Sequence, residues 1–187
     1  MKLNTKIIVY IGLLAAIATV LMFFPHFPVL SAVPFLKVDF ADVPALLASV
    51  TISPIFGIVI EFIKNLFHLT VSDTAFVGEL SNFIVGSIYC LAVGLLSKYT
   101  FRNKLMKHKL LFVLPISIII QTACAAVSNY FIIGPMYFGS DNAQILDFVL
   151  AGAIPFNLIK GGVQAVVFYL LYRGISPYIK KNMYLYK

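Results

Sequence analysis

Charge is what this sequence has least of. Only 11% of its 187 residues are Asp, Glu, Lys or Arg, less than half of the roughly 25% found in an ordinary soluble domain. Acidic side chains are the scarcest, seven against fourteen Lys and Arg, which leaves a formal net charge of +7. With 61% hydrophobic residues and a mean hydropathy of +0.98, the chain has more apolar surface than a water-soluble core of this size could use. It is an integral membrane protein. The positive excess is not spread over a soluble face but gathers at the ends of apolar runs, where it sets topology, and this excludes nucleic acid as a partner. Cysteine is nearly absent too. Cys90 and Cys124 each fall inside an apolar run, with no CxxC and no metal-ligand spacing, so a disulfide framework and a thiolate metal site are excluded. HExxH, GxSxG and the phosphate loop GxxxxGK[ST] do not occur, and His26, His68 and His108 share no ligand spacing. Catalysis, a bound metal and a cofactor therefore find no support, and the chain is read as a non-enzyme. There is no internal repeat, low-complexity segment or second domain, so residues 1–187 form one transmembrane domain.

What is present is a series of apolar runs. In lipid a spanning segment must satisfy its own backbone, so these runs are helices. Six are predicted, over residues 7–24, 43–52, 55–69, 79–96, 110–136 and 145–172. The second is too short to cross unaided and is expected to start within the preceding loop and pair tightly with the third across Ser53-Pro54. The first could imitate a secretory signal, but its hydrophobicity continues through Phe24, so it is read as a span. Lys2 and Lys6, then Lys98, Arg102, Lys104, Lys107 and Lys109, then Arg173, Lys180, Lys181 and Lys187 all fall on one side if there are six crossings. The positive-inside rule makes that side, and both termini, cytoplasmic. The first external loop, residues 25–42, carries Phe27, Leu30, Phe35, Leu36 and Phe40 among its prolines and aspartates and is expected to fold back over the mouth of the bundle.

A few polar residues interrupt the spans. Lys160 lies near the middle of the sixth, about 15–22 Å deep at 1.5 Å per residue, where an ammonium costs a few kcal/mol. Asn157, three residues earlier, shares its face. Asn129 lies about 10 Å below the outer end of the fifth span. Glu79 opens the fourth, where the helix dipole favours an acid, with Asn82 on the same face. Glu61 and Lys64, spaced i,i+3, can neutralise each other. The inner halves of the last three spans hold little beyond Ser87, Gln121 and Gln164. A polar set confined to the outer half and the middle predicts an outward-opening cup rather than a pore. An asparagine in lipid can serve helix packing alone, but Lys160 needs a counter-charge or a ligand. On the first span, Gly12/Ala16 and Ala15/Thr19 are small-xxx-small pairs that admit a close neighbour, either inside the bundle or from outside.

These features together resemble a known family. Six spans, an apolar first loop, basic termini and small residues on the first span are similar to the substrate-binding S component of an energy-coupling factor (ECF) vitamin transporter. The segments KVDFADVPALLA at 37–48, GELSNF at 78–83 and PFNLIKG at 155–161 resemble the riboflavin-specific branch. The resemblance implies a compact six-helix bundle that captures riboflavin as transported substrate. It also implies assembly with a transmembrane coupling subunit and two ATP-binding subunits in the cell membrane. The first span is then the docking face, with Gly12, Ala15, Ala16 and Thr19 standing where the family usually shows AxxxA. The expected ligand contacts are Asn157, Lys160, Glu79, Asn129 and Asn82, within apolar walls from Leu46, Leu47 and Phe40, with Glu79 also available to balance Lys160. An S component for another heterocycle such as thiamine, and an autonomous ion-coupled carrier relaying through Glu61, Lys64 and Glu79, are the alternatives.

Overall fold

A computed structural model describes residues 5–24, 27–30, 36–99 and 106–182. Of the residues named above, Lys2, Arg102, Lys104, Lys187, His26 and Phe35 lie outside them. Among the described residues, six helices form the bundle. Helix α1 spans Thr5–Phe23 and stops just before Pro25. A short antiparallel hairpin follows, β1 (Phe27–Pro28) with β2 (Lys37–Val38), in the register Phe27↔Val38 and Pro28↔Lys37. Helix α2 (Asp42–Thr51) and helix α3 (Pro54–His68) meet at Ser53-Pro54, and Pro54 takes the first helical position, where its missing N–H costs nothing. Helix α4 is Val77–Tyr99. Helix α5, residues 106–138, runs from Met106–Ser128 through a π turn at Asn129–Ile133 into Gly134–Phe138. Helix α6, residues 142–182, is likewise broken by a π turn, at Phe148–Ala153.

Five of the six helices are long and apolar enough to cross a membrane; α2 is not. All ten residues of α2 are buried, and it packs against α1, α3, α4 and α6. A helix enclosed on every side needs no amphipathic stripe, and this one satisfies its own hydroxyls. Ser49 Oγ donates to the Ala45 carbonyl at 2.9 Å, and Thr51 Oγ1 to that of Leu47 at 2.6 Å. Close approach around α2 depends on glycine. A Cβ on Gly57 of α3 would run into Ser49 Oγ and lie 2.9 Å from the Ala45 carbonyl oxygen, and one on Gly94 of α4 would lie 3.1 Å from the Ser49 carbonyl oxygen.

The core runs through Leu46, Ile60, Tyr89, Val93, Leu110 and Phe168. The outward faces are also apolar, with Val9, Ile119, Phe131 and Val166 each about 60–70% exposed, as lipid contact requires. The predicted spans match these helices with shifted ends: α4 and α5 each extend further at both ends, and α2 begins at Asp42, the last residue of the preceding loop, as expected. The hairpin was not predicted. The described part of that loop does fold inward, for Leu30 and Leu36 pack against Phe148, Val149 and Ala153 of α6.

Candidate functional site

A cavity of about 680 Å³ opens among the hairpin, the α3–α4 connection and helices α1, α4, α5 and α6. Its apolar walls include Met22, Leu36, Val85, Ile133, Phe148 and Phe156, with Tyr137 beside them. Leu46, Leu47 and Phe40, expected as walls, do not line it. Leu46 and Leu47 are sealed in the core, and Phe40 packs against that core. The reason is that α2 is enclosed by other helices along its length, and of its residues Asp42, at the N-terminal end, is the one that lines the cavity.

Lys160 reaches the cavity from α6 and is buried. Its Nζ donates to Asp39 Oδ2 at 3.1 Å and to Asn82 Oδ1 at 3.0 Å, and lies 3.6 Å from Asp42 Oδ2. Asp39 is fixed in turn: its Oδ1 accepts from the Ala41 amide at 2.8 Å, and its carbonyl accepts from Gln164 Nε2 at 3.1 Å. Asp42 also accepts from Lys64 of α3, which pairs with Glu61 Oε2 at 2.8 Å. Five ionisable groups from the hairpin end, α2, α3 and α6 thus share one buried network, and burial without such mutual pairing would cost several kcal/mol per ion.

Glu79 lies elsewhere on the cavity wall. It does not balance Lys160 as expected, because its oxygens are committed at the rim. Oε1 is 2.8 Å from His68 Nδ1, and Oε2 accepts from Ser72 Oγ at 2.8 Å and from Thr74 Oγ1 at 3.2 Å. Thr74 Oγ1 also accepts from the Gly78 amide at 3.1 Å, so the cluster ties the start of α4 to the loop before it. In that loop Ala75 and Phe76 adopt left-handed φ values of 46° and 68°, a conformation non-glycine residues hold only when surroundings impose it.

Asn129 and Asn157 both line the cavity, and each sits beside a π turn, a feature frequent at functional sites. Asn129 begins the first π turn and donates Nδ2 to the Ala125 carbonyl at 2.8 Å; Asn157 donates Nδ2 to the carbonyl of Ala153, the last residue of the second, at 2.8 Å. These bonds fix each amide's orientation and leave an oxygen and one N–H for other partners. Gln121 and Gln164, set aside in the sequence as inner-half residues, line the cavity as well, and Gln121 Nε2 donates to the Asn157 carbonyl at 3.4 Å.

The expected site residues Lys160, Asn157, Asn129, Asn82 and Glu79 thus meet around one cavity. Asp39, Asp42, Gln121 and Gln164 were missed. The first two had a signal: a cation in the middle of a span needs a counter-charge, and a chain with seven acids offers few. On α1 the two small pairs separate. Ala15 is buried in the core, and Thr19 Oγ1 donates to its carbonyl at 2.8 Å, whereas Gly12 and Ala16 face outward. A Cβ on Gly12 would meet nothing within 4 Å.

Comparison with known proteins is decisive for the family. The model of the substrate-specific component of ECF transporters matches residues 6–172. The chain belongs to this family. Among its relatives, the riboflavin transporter RibU of Staphylococcus aureus (strain TCH60) is 37% identical over 190 residues, covering 96% of this chain and 97% of the relative. The riboflavin transporter FmnP of Bacillus subtilis (strain 168) is 35% identical over 194 residues, with the same coverages. A solved structure described as the S component of a bacterial ECF transporter superposes with a TM-score of 0.80 at 36% identity, covering 94% of this chain and 98% of that one. The six-helix, all-α fold is therefore that of an S component, a membrane protein with several spanning helices.

Proposed function

We propose that this S component binds riboflavin from outside the cell and delivers it inward. The observation that carries the reading is the cavity itself. Its size falls within the range of small-molecule sites, and its apolar and aromatic walls surround a few fixed polar groups. Riboflavin has a flat, partly apolar ring, a polar pyrimidine edge and a hydroxylated tail, and it carries no charge. Asn129 and Asn157 offer amide donors and acceptors to the ring edge. Lys160 offers an ammonium proton, and Asn82 and the Glu79 cluster offer acceptors to hydroxyls. The names of the relatives, riboflavin transporters at 35–37% identity over nearly their whole length, support the same ligand.

Residues 1–187 act as a single transmembrane substrate-binding domain, with riboflavin as cargo rather than cofactor and with no catalytic step of its own. The partners are those the family implies, a transmembrane coupling subunit and two ATP-binding subunits, in the cytoplasmic membrane of a bacterial cell and surrounded by lipid. The outward Gly12/Ala16 face of α1 suits docking of the coupling subunit, because small residues let helices approach closely; Ala15 belongs to internal packing. All six helices cross, α2 with the help of its flanking segments, and the basic residues at the helix ends favour cytoplasmic termini.

Purification in detergent without added ligand, followed by absorbance spectroscopy and titration with riboflavin, its nucleotides and thiamine, tests the ligand. The expected result is a flavin spectrum in the purified protein and tight, saturable riboflavin binding. Thiamine binding with no flavin response overturns the assignment. Uptake without ATP that collapses with a protonophore replaces the ECF reading with an ion-coupled carrier.

A further inference from the structure

Lys64 lies outside the cavity wall, yet it is bonded to a group that belongs to it. It is completely buried on α3, where it pairs with Asp42 and Glu61. A buried ion pair is weak evidence for a stabilising role, since apolar side chains of similar volume often serve stability equally well. Its position instead bears on Lys160. An ammonium has three protons to donate. Lys160 gives one to Asp39 at 3.1 Å and one to Asn82 at 3.0 Å. A second carboxylate oxygen, Asp42 Oδ2, lies 3.6 Å away, beyond hydrogen-bonding distance. The other oxygen of the same carboxylate, Oδ1, is bonded to Lys64.

We propose that Lys64 is a positioning residue for the ligand site: it holds the Asp42 carboxylate back from Lys160, so that the third proton of Lys160 stays available to the bound molecule. Asp42 is shared between two ammonium groups, one facing the cavity and one behind it, with Gln164 as a further hydrogen-bonding neighbour, and the rear ammonium limits how far it can turn toward Lys160. Glu61 completes the device. Paired to Lys64 at 2.8 Å through Oε2, it balances that lysine when Asp42 is engaged with the front one. Gly86 of α4 gives the Glu61 carboxylate its room, because a Cβ there would run into it.

The idea rests on the reading that Lys160 contacts the ligand, and a double-mutant cycle in riboflavin binding separates the two. Removing the rear ammonium in Lys64→Met frees Asp42 to take the third proton of Lys160. One charge-assisted hydrogen bond to the ligand is then lost, so affinity falls roughly tenfold or more. Adding Asp42→Asn removes the competitor, and the Lys64→Met/Asp42→Asn double variant recovers most of that affinity. A merely structural Lys64 predicts the opposite, a double variant as weak as Lys64→Met or weaker. In the Asp42→Asn background, whatever its own affinity, adding Lys64→Met should change binding by no more than about threefold, because the competitor that Lys64 restrains is already gone. That comparison stands even if Lys64→Met alone fails to fold, and a tenfold loss in it overturns the proposal. If Lys160→Ala abolishes binding while Lys64→Met leaves it unchanged, this inference fails and the site reading survives. If Lys160→Ala itself binds normally, the site reading falls and this one with it.

Discussion

Two acid–base clusters line the same cavity, and they are built in different ways. The Lys160 cluster draws together side chains 78 and 121 residues apart in sequence, from the hairpin end, α4 and α6. All of its charged members are buried. The Glu79 cluster is local. Its partners Ser72, Thr74 and His68 lie 5 to 11 residues away, and the His68 side chain is 21% exposed. Water can replace a lost bond at the rim, whereas nothing can in the interior. The inner cluster therefore reports on the whole fold and on the ligand, and the outer one chiefly on its own loop.

The sharpest way to break this contrast is Lys160→Ala. It leaves Asp39 without its cation and Asp42 with Lys64 alone, and one-sided removal of a buried pair costs about 3–5 kcal/mol. Riboflavin affinity measured by calorimetry should drop by roughly 100-fold or more; unchanged binding would falsify the central assignment. Asn157→Ala and Asn129→Ala each remove one fixed amide, and each should weaken binding about tenfold, the worth of one well-placed hydrogen bond. Glu79→Gln keeps an oxygen for Ser72 and Thr74, so affinity should shift by no more than a few-fold while the thermal midpoint falls slightly. If Glu79→Gln cost as much as Lys160→Ala, the rim would belong to the binding centre and the distinction would disappear. The smallest effect belongs to the Lys37–Asp73 pair, 3.7 Å apart with the Asp73 side chain 86% exposed. Asp73→Ala should change stability by less than about 1 kcal/mol, within the scatter of a thermal melt.

The same contrast explains what could be read from the sequence. Helices were legible because lipid forces hydropathy and secondary structure to coincide. Lys160 was legible because a lone cation in an apolar run has no local excuse. Glu79 was legible as a helix start, and its partners proved to be neighbours in sequence. Asp39 and Asp42 were not, since in sequence they are simply acids of an external loop, with nothing to pair them with a distant lysine. Only the hairpin and the burial of α2 carry them inward. Leu46 and Leu47 were misplaced for the same reason: ten apolar residues look alike whether they face a ligand or, as here, other helices on every side. The Gly12/Ala16 and Ala15/Thr19 pairs were equivalent as spacing, and only packing could assign one inward and the other outward.

The π turns of α5 and α6 have one more consequence. Each carries an extra residue relative to α-helical winding, and one residue rotates a helix by about 100°. The stretch above each π turn and the stretch below it thus have independently set rotational phases. The outer turns of α5 and α6 can change to suit a different cargo while the lower turns keep the same face toward lipid and toward their neighbours. Deleting a single residue from Phe148–Ala153 would couple the two phases again, swinging Asn142–Asp147 by about 100° relative to the Asn157–Lys160 face.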